Sequence, residues 1–326
     1  MIAGSSGGHI LPAIKYLNNL ANLKAPNEIL FITNEIGKSY LKNIKKDKIN
    51  KIVLSSKNKL SYILNVFLKT SLIFLFNRRM TLIGFGGFIT TPILLMSKLF
   101  NIFFFSFNNI YAHEQNIIYG LANKINYFFV KNIFISFPRS KMRSKEIFVG
   151  NSFLNKNVSR EILDNKFINI LLLGGSGGSL DLNNKMLEKI MTLDNIDLDK
   201  IKFFIQIPNS HLEIFKNKYL DLVDLKRCTF FSYKDNLNPQ EYDFILSRSG
   251  SGSINEILYL TDNVYFIPHV ISRDQHQKFN LNYFLSHNMS LKKFSIPNKK
   301  NLMSQFYFNS LINPHSIEKI ICYTTR

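Results

Sequence analysis

Tryptophan is absent from this chain of 326 residues, and cysteine nearly so. The two cysteines, Cys228 and Cys322, form no CxxC pair, which argues against a disulfide framework or a zinc site and for a reducing compartment. Acidic residues are scarce: 22 Asp and Glu stand against 41 Lys and Arg, a formal charge of +19. A long unbroken apolar run is missing too. The longest, residues 60–76, contains Asn65 and Lys69, too short and too interrupted for a transmembrane helix. The apolar start is broken at once by glycines and His9, so no secretory signal is legible.

What is present is unevenly spread. Residues 1–150 hold 20 Lys and Arg against 5 Asp and Glu, whereas residues 151–326 hold 21 against 17. An AT-rich genome would enrich Lys, Asn, Ile and Phe throughout, so base composition accounts for part of the total charge but not for its asymmetry. A basic half suits an anionic membrane surface, phosphorylated substrates or nucleic acid. No nucleic-acid recognition module is legible, and nucleic acid is not expected as a partner.

Short runs rich in Ile, Val and Phe alternate with helical patterns: IAG, EILFIT, KIVLSS, MTLIGF and NIYAHE, then INILLLGG, KFFIQI, CTFFSY, YDFILSRS and NVYFIP. That alternation predicts an α/β fold with parallel sheets. Residues 150–167, GNSFLNKNVSREILDNKF, are polar and precede a fresh start of the pattern, which sets two domains, 1–150 and 151–326. Each domain opens with a strand running into a glycine-rich turn and a helix, GSSGG at 4–8 and GGSGG at 174–178. Two nucleotide-binding folds of this kind would face each other across a cleft, the shape of a two-Rossmann-domain glycosyltransferase but also of many other proteins with paired α/β domains.

One such turn is weak evidence, because tight turns need glycine for backbone reasons alone. Here GFGGF, with Gly84, Gly86 and Gly87, adds a third seat after a strand. Three seats exceed what one nucleotide requires and fit two diphosphate-bearing substrates. His9 is either a helix N-terminal residue or a base at the carboxyl end of the first strand, where open α/β sheets place ligands. AHEQN puts four polar side chains, His113, Glu114, Gln115 and Asn116, at a strand's carboxyl end and reads as lining a site, although Asn116 could instead cap the helix expected from residue 117. SRSGSGSINE leaves a strand for a helix: Ser249 and Gly250 offer N–H groups, and Glu256 could grip ribose hydroxyls or be solvated. DQHQKFN puts His276, Gln277 and Asn280 at helical spacing, for sugar hydroxyls or as a polar face. A dinucleotide oxidoreductase would need GxGxxG with an acid about 20 residues on, which neither first turn shows.

Taken in order, GSSGGHILPA, GFGGFITTP, HEQN with GLANK, VGN, LLLGGSGGSLDLN, SRSGSGSINE and DQHQKFN resemble the successive motifs of the MurG family, the peptidoglycan GlcNAc transferases, over residues 4 to about 285. The resemblance implies a GT-B fold and inverting transfer of GlcNAc from UDP-GlcNAc to the C4 hydroxyl of MurNAc in lipid I, giving lipid II, with no metal or other cofactor. By this resemblance His9 is the candidate base, with Glu114 or His113 tuning it. Ser6, Gly7, Gly8, Asn116, Ser176, Lys234, Ser249, Gly250, Ser251, Gly252, Ser253, Ile254, Asn255, Glu256, His276 and Gln277 fall at UDP-GlcNAc positions. Gly7, Gly8, Gly84, Gly86 and Gly87 fall at the acceptor diphosphate. Residues 1–150 would then be the acceptor and membrane side, and 151–326 the donor domain. The location implied is peripheral, on the cytoplasmic side of the bacterial inner membrane, with other cell-wall enzymes as partners.

The apolar runs 60–76 and 100–107, flanked by eight lysines between Lys38 and Lys59 and by Arg78 and Arg79, would form the membrane-docking face. Leu154 stands where the family carries an arginine, a role Arg160 could take over. Met1 lies only three residues before Gly4, so the first strand is short or starts upstream. The chain is short for the family after Asn298, and its last helix, around 315–323, would reach back to the first domain less completely. Another GT-B lipid glycosyltransferase, for example one acting on diacylglycerol, or a non-catalytic cell-wall scaffold are the alternatives.

Overall fold

The computed structural model describes residues 1–4, 6–20, 29–44, 49–54, 59–139, 141–150, 166–175, 177–191, 199–232, 237–261, 264–269 and 275–286. They group into two compact units, one within Met1–Ser152 and the other within Phe153–Asn309. Ser176, Lys234, Leu154, Arg160 and the helix expected around 315–323 lie outside the described residues.

The first unit runs α1 (Gly7–Leu20), β1 (Ile29–Asn34), α2 (Glu35–Lys38), β2 (Ile49–Leu54), α3 (Lys59–Phe76), β3 (Thr81–Gly84), α4 (Thr90–Phe103), β4 (Asn109–Glu114), α5 (Leu121–Asn126), β5 (Asn132–Ile135) and β6 (Glu146–Phe148). The first expected strand, IAG, is reduced to a single bridging residue. Ile2 pairs in parallel with Ile32 of β1 on one side and Gly84 of β3 on the other. Backbone bonds on both flanks hold it: Ile2 N donates to Ile83 O at 3.0 Å, Phe85 N to Ile2 O at 2.8 Å and Ala3 N to Ile32 O at 3.1 Å. The sheet therefore reads β2-β1-Ile2-β3-β4-β5-β6, all parallel. From Ile2 the chain builds outward to β1 and β2, then crosses to β3 on the other side. The switch point lies beside Ile2, at the turns 4–8 and 84–88.

The second unit contains β7 (Ile168–Leu173), α6 (Leu180–Ile190), β8 (Ile201–Gln206), α7 (Leu212–Leu220), β9 (Cys228–Phe231), β10 (Phe244–Ser247), α8 (Ser251–Leu260), β11 (Val264–Phe266) and α9 (His276–Ser286). Its sheet, β11-β10-β7-β8-β9, is also parallel, and its switch point falls between β7 and β10, where Leu173 pairs with Ser247. All five strand runs read from the second half of the sequence form here. In the first half the short strands NIFI (β5) and EIF (β6) extend the sheet without having been read.

Parallel strands covered on both faces must be apolar throughout. Ile170, Leu172, Ile205, Phe203, Phe244 and Leu246 fill the second core with Met186 and Tyr219 from its helices. In the first unit, Ile10, Ala13, Ile14 and Leu17 of α1 pack on Phe31, Ile83, Tyr111 and Phe134. The other layer takes Val66 and Phe74 of α3 and Ile93, Leu94 and Phe100 of α4.

Candidate active site

Helix α1 begins three residues earlier than its apolar pattern, so Gly7, Gly8 and His9 form its first turn rather than a loop before it. Ser6 caps it through its carbonyl, which accepts from Ile10 N at 3.1 Å. The first N–H groups of α1 thus open beside the switch point, an arrangement that attracts anions. Gly86 (φ 97°) and Gly87 (φ 89°) turn the neighbouring loop into the left-handed region, where side chains are strained. A Cβ on Gly86 would also lie 2.5 Å from His9 Nδ1, so the absence of a side chain there is what admits the imidazole. His9 Nδ1 lies 3.1 Å from Phe85 O and 3.0 Å from Gln115 Nε2.

The HEQN segment ends β4, but no helix follows at residue 117; α5 starts at Leu121. The reason is the Glu114 carboxylate. Its Oε1 accepts from Asn116 N at 2.9 Å and Asn116 Nδ2 at 3.2 Å, and its Oε2 from Gly120 N and Asn123 Nδ2, each at 3.0 Å. Those four bonds pin the chain into a loop, so Asn116 is not a helix cap. Burial raises the Glu114 pKa, opposed by the same donors. Glu114 therefore organises its own turn, and its bonds go there rather than to His9. His113 is buried with Nε2 3.3 Å from Ser136 Oγ, its ring 5.2 Å from that of Phe85. Burial, and secondarily the charge of His9, lowers its pKa to about 4, so it stays neutral at physiological pH.

In the second unit two turns meet at neighbouring strand ends. Gly174 N donates to Gln206 Oε1 at 2.9 Å, and Gly178 (φ 75°) packs against Pro208 so closely that a Cβ would lie 2.9 Å from the Pro208 nitrogen. Ser179 caps α6, its Oγ accepting from Leu182 N at 3.3 Å. Helix α8 starts at Ser251 with Gly250 as its cap and no side-chain cap bond. Its first-turn N–H groups, at Ser251, Gly252 and Ser253, lie at the helix's positive end, an arrangement that attracts anions. Ile254 and Asn255 are buried: Ile254 N donates to Gly250 O at 2.9 Å and Asn255 Nδ2 to Ser251 O at 2.7 Å, so both support the turn from within. Glu256 lies half-buried on the same helix.

Gln277 braces this site: its Oε1 accepts from His269 N and its carbonyl from Ser249 Oγ, both at 2.9 Å. His276 is the half-buried first residue of α9, and Asn280 is fully buried.

Sequence reasoning passed over two residues that build these sites, Arg248, inside the SRSGS motif, and Gln206. Gln115, read as one of four site-lining side chains of HEQN, lies 3.0 Å from His9 Nδ1. Arg248 is buried, donating from Nε to Ser179 Oγ at 3.0 Å, from NH1 to Ile267 O and Pro268 O at 3.0 and 3.1 Å, and from NH2 to Asp181. It ties both glycine turns to the end of β11. Gln206 also bonds Ser232 O, and no pattern marked it.

Two parallel-sheet units, each opening a glycine turn and a helix N-terminus at its switch point, define the GT-B class of glycosyltransferases. The N-terminal domain of glycosyltransferase family 28 matches residues 1–135 and its C-terminal domain residues 169–295, and the chain belongs to that family. A UDP-N-acetylglucosamine–N-acetylmuramyl-(pentapeptide) pyrophosphoryl-undecaprenol N-acetylglucosamine transferase of Wolbachia sp. subsp. Drosophila simulans is 28% identical over 294 residues, covering 87% of this chain and 81% of the relative. The crystal structure of Acinetobacter baumannii MurG superposes with a TM-score of 0.63 at 18% identity, covering 100% of this chain and 90% of that one. A Neisseria meningitidis UDP-GlcNAc 2-epimerase bound to UDP-GlcNAc follows at 0.60 and 12% identity, covering 99% and 98%, a likeness of fold alone.

Proposed function

We propose that this glycosyltransferase moves GlcNAc from UDP-GlcNAc to the C4 hydroxyl of MurNAc in lipid I, with inversion, yielding lipid II. The observation that carries the reading is His9, seated against the backbone of the GFGGF turn at the first unit's switch point, in a chain whose curated relatives are named for this transfer. The first unit, 1–150, would hold the acceptor, its diphosphate at Gly7, Gly8, Gly84, Gly86 and Gly87. The second, 151–326, would hold the donor, its diphosphate at the N-terminus of α8 and at the 174–178 turn, its ribose at Glu256, and its sugar near His276.

As the sugar carbon leaves UDP, negative charge grows on the diphosphate. Backbone N–H groups and the positive end of α8 are already oriented there and stabilise that charge without reorganising. His9 takes the proton from the attacking hydroxyl; such a base contributes roughly 100- to 10,000-fold.

Membrane attachment is peripheral in this reading. Among the described residues no helix is long and apolar enough to cross a membrane. Helix α3 turns Val66, Thr70 and Phe74 inward, while Leu64, Leu68, Leu72 and Phe76, at the same four-residue spacing, are each more than half exposed. Ile102, Phe103, Phe104, Phe105 and Phe107 are also more than half exposed, and Arg79 lies over the Phe107 ring. Apolar side chains beside cations suit the anionic cytoplasmic face of the inner membrane.

Acceptor choice tests the proposal. With UDP-GlcNAc as donor, a lipid I analogue should be glycosylated and diacylglycerol should not. Product on diacylglycerol alone would favour the other lipid glycosyltransferase reading, and donor binding without any product the scaffold.

A further inference from the structure

This inference rests on the transferase reading and concerns how its base is held. His9 Nδ1 has two neighbours that one protonation state cannot satisfy as they stand. Phe85 O, 3.1 Å away, only accepts and so requires a proton on Nδ1. Gln115 Nε2, 3.0 Å away, only donates and so requires a lone pair there.

The two neighbours differ in freedom. The Phe85 carbonyl belongs to backbone anchored by the Phe85 N–H bond to Ile2 O at 2.8 Å and followed by Gly86 at φ 97°. The Gln115 carboxamide can turn over about its last torsion, exchanging oxygen for nitrogen with almost no change of shape. A fixed carbonyl facing a ring lone pair would repel it, so the movable group yields.

We propose that Gln115 is the positioning residue of His9: turned over, its amide oxygen shares the Nδ1 proton with the Phe85 carbonyl, which keeps the basic lone pair on Nε2. That tautomer can take a proton from a sugar hydroxyl; the opposite amide orientation would draw the proton to Nε2 and switch the base off.

The two titratable side chains beside Gln115 on β4 are engaged elsewhere. On β4, His113 packs on Phe85 and is held neutral by burial, and Glu114 turns its carboxylate to Asn116, Gly120 and Asn123. On the GFGGF turn the contacts are a backbone carbonyl and glycine. A neutral amide orients the ring without the rise in basicity that a carboxylate would bring.

Two measurements on the full chain test this: ¹⁵N chemical shifts of the His9 ring, and the pH profile of transfer for wild type, Gln115→Met and Gln115→Glu. The wild type should show the Nδ1–H tautomer. Gln115→Met should mix the tautomers and lower kcat by about tenfold, with the UDP-GlcNAc KM unchanged. Gln115→Glu, which can only accept, should restore the tautomer and raise the acidic limb of the profile by about one pH unit. An Nε2–H wild type, or variants with unchanged tautomer and profile, would overturn the proposal. The ring shifts need no turnover. An Nδ1–H wild type that transfers no sugar would therefore contradict the transferase reading alone, and an active Nε2–H wild type would contradict the role of Gln115 alone.

Discussion

His113, Glu114 and Gln115 are consecutive and share one strand end, yet burial and bonding give them three different chemistries. Glu114 spends both oxygens on four donors of its own turn, while Gln115 reaches the base. His113 has a depressed pKa, about 4 against an ordinary 6.5, because burial disfavours its charged form. Between those values the unfolded chain binds a proton that the folded chain refuses. Stability should therefore fall as the pH drops from 6.5 towards 4, by at most about 3 kcal/mol, and the slope should end below that window. Denaturant titrations of wild type and His113→Gln measure it. The variant should lose this share of the acid sensitivity, and identical pH dependences would place the effect elsewhere. The same strand end shows what the residues alone could tell. HEQN was legible as a functional cluster, but which member bonds the base depends on side-chain directions that no spacing encodes.

At the level of elements, the strand–turn–helix passages were the legible part, because a Val/Ile/Phe run followed by glycines has few other solutions in an α/β fold. Strands β5 and β6 were passed over because three or four residues carry too little periodicity, and the IAG strand shrank to Ile2. The helix expected after HEQN failed for a reason that lies in one carboxylate. Arg248 shows how elements are coupled. Its guanidinium joins the α6 N-terminus to the SRSGS turn and the end of β11. Arg248→Met would strand two carbonyls and the Ser179 hydroxyl. It should destabilise the second unit by roughly 2–4 kcal/mol and weaken UDP-GlcNAc binding through the displaced turns. Unfolding curves and calorimetric titration with UDP-GlcNAc would check both effects. Asp181→Asn should do less, because that carboxylate is 45% exposed.

On the scale of the whole molecule, charge and apolar exposure belong together. The basic half of the sequence is the unit that also exposes the α3 stripe and the phenylalanines after α4. Composition had indicated an anionic partner, but only the folded helix separates Val66 and Phe74, which fill the core, from the leucines that face outward. Leu68→Glu with Leu72→Glu should sharply reduce sedimentation with anionic vesicles while leaving the melting temperature unchanged, because both sites face outward. Lys-to-Glu changes between Lys42 and Lys59 should reduce it further at low salt, where exposed charges act over the longest range. Binding that survives both sets would place the docking face elsewhere. The role proposed for His9, starting transfer at a donor site that needs no metal, is open to a single experiment. Labelled GlcNAc is followed from UDP-GlcNAc to a lipid I analogue in the presence of EDTA, wild type beside His9→Ala. Product is expected from the wild type, with a loss of about 100-fold or more in the variant. Equal rates from the two proteins, or a wild type silenced by the chelator, would contradict it.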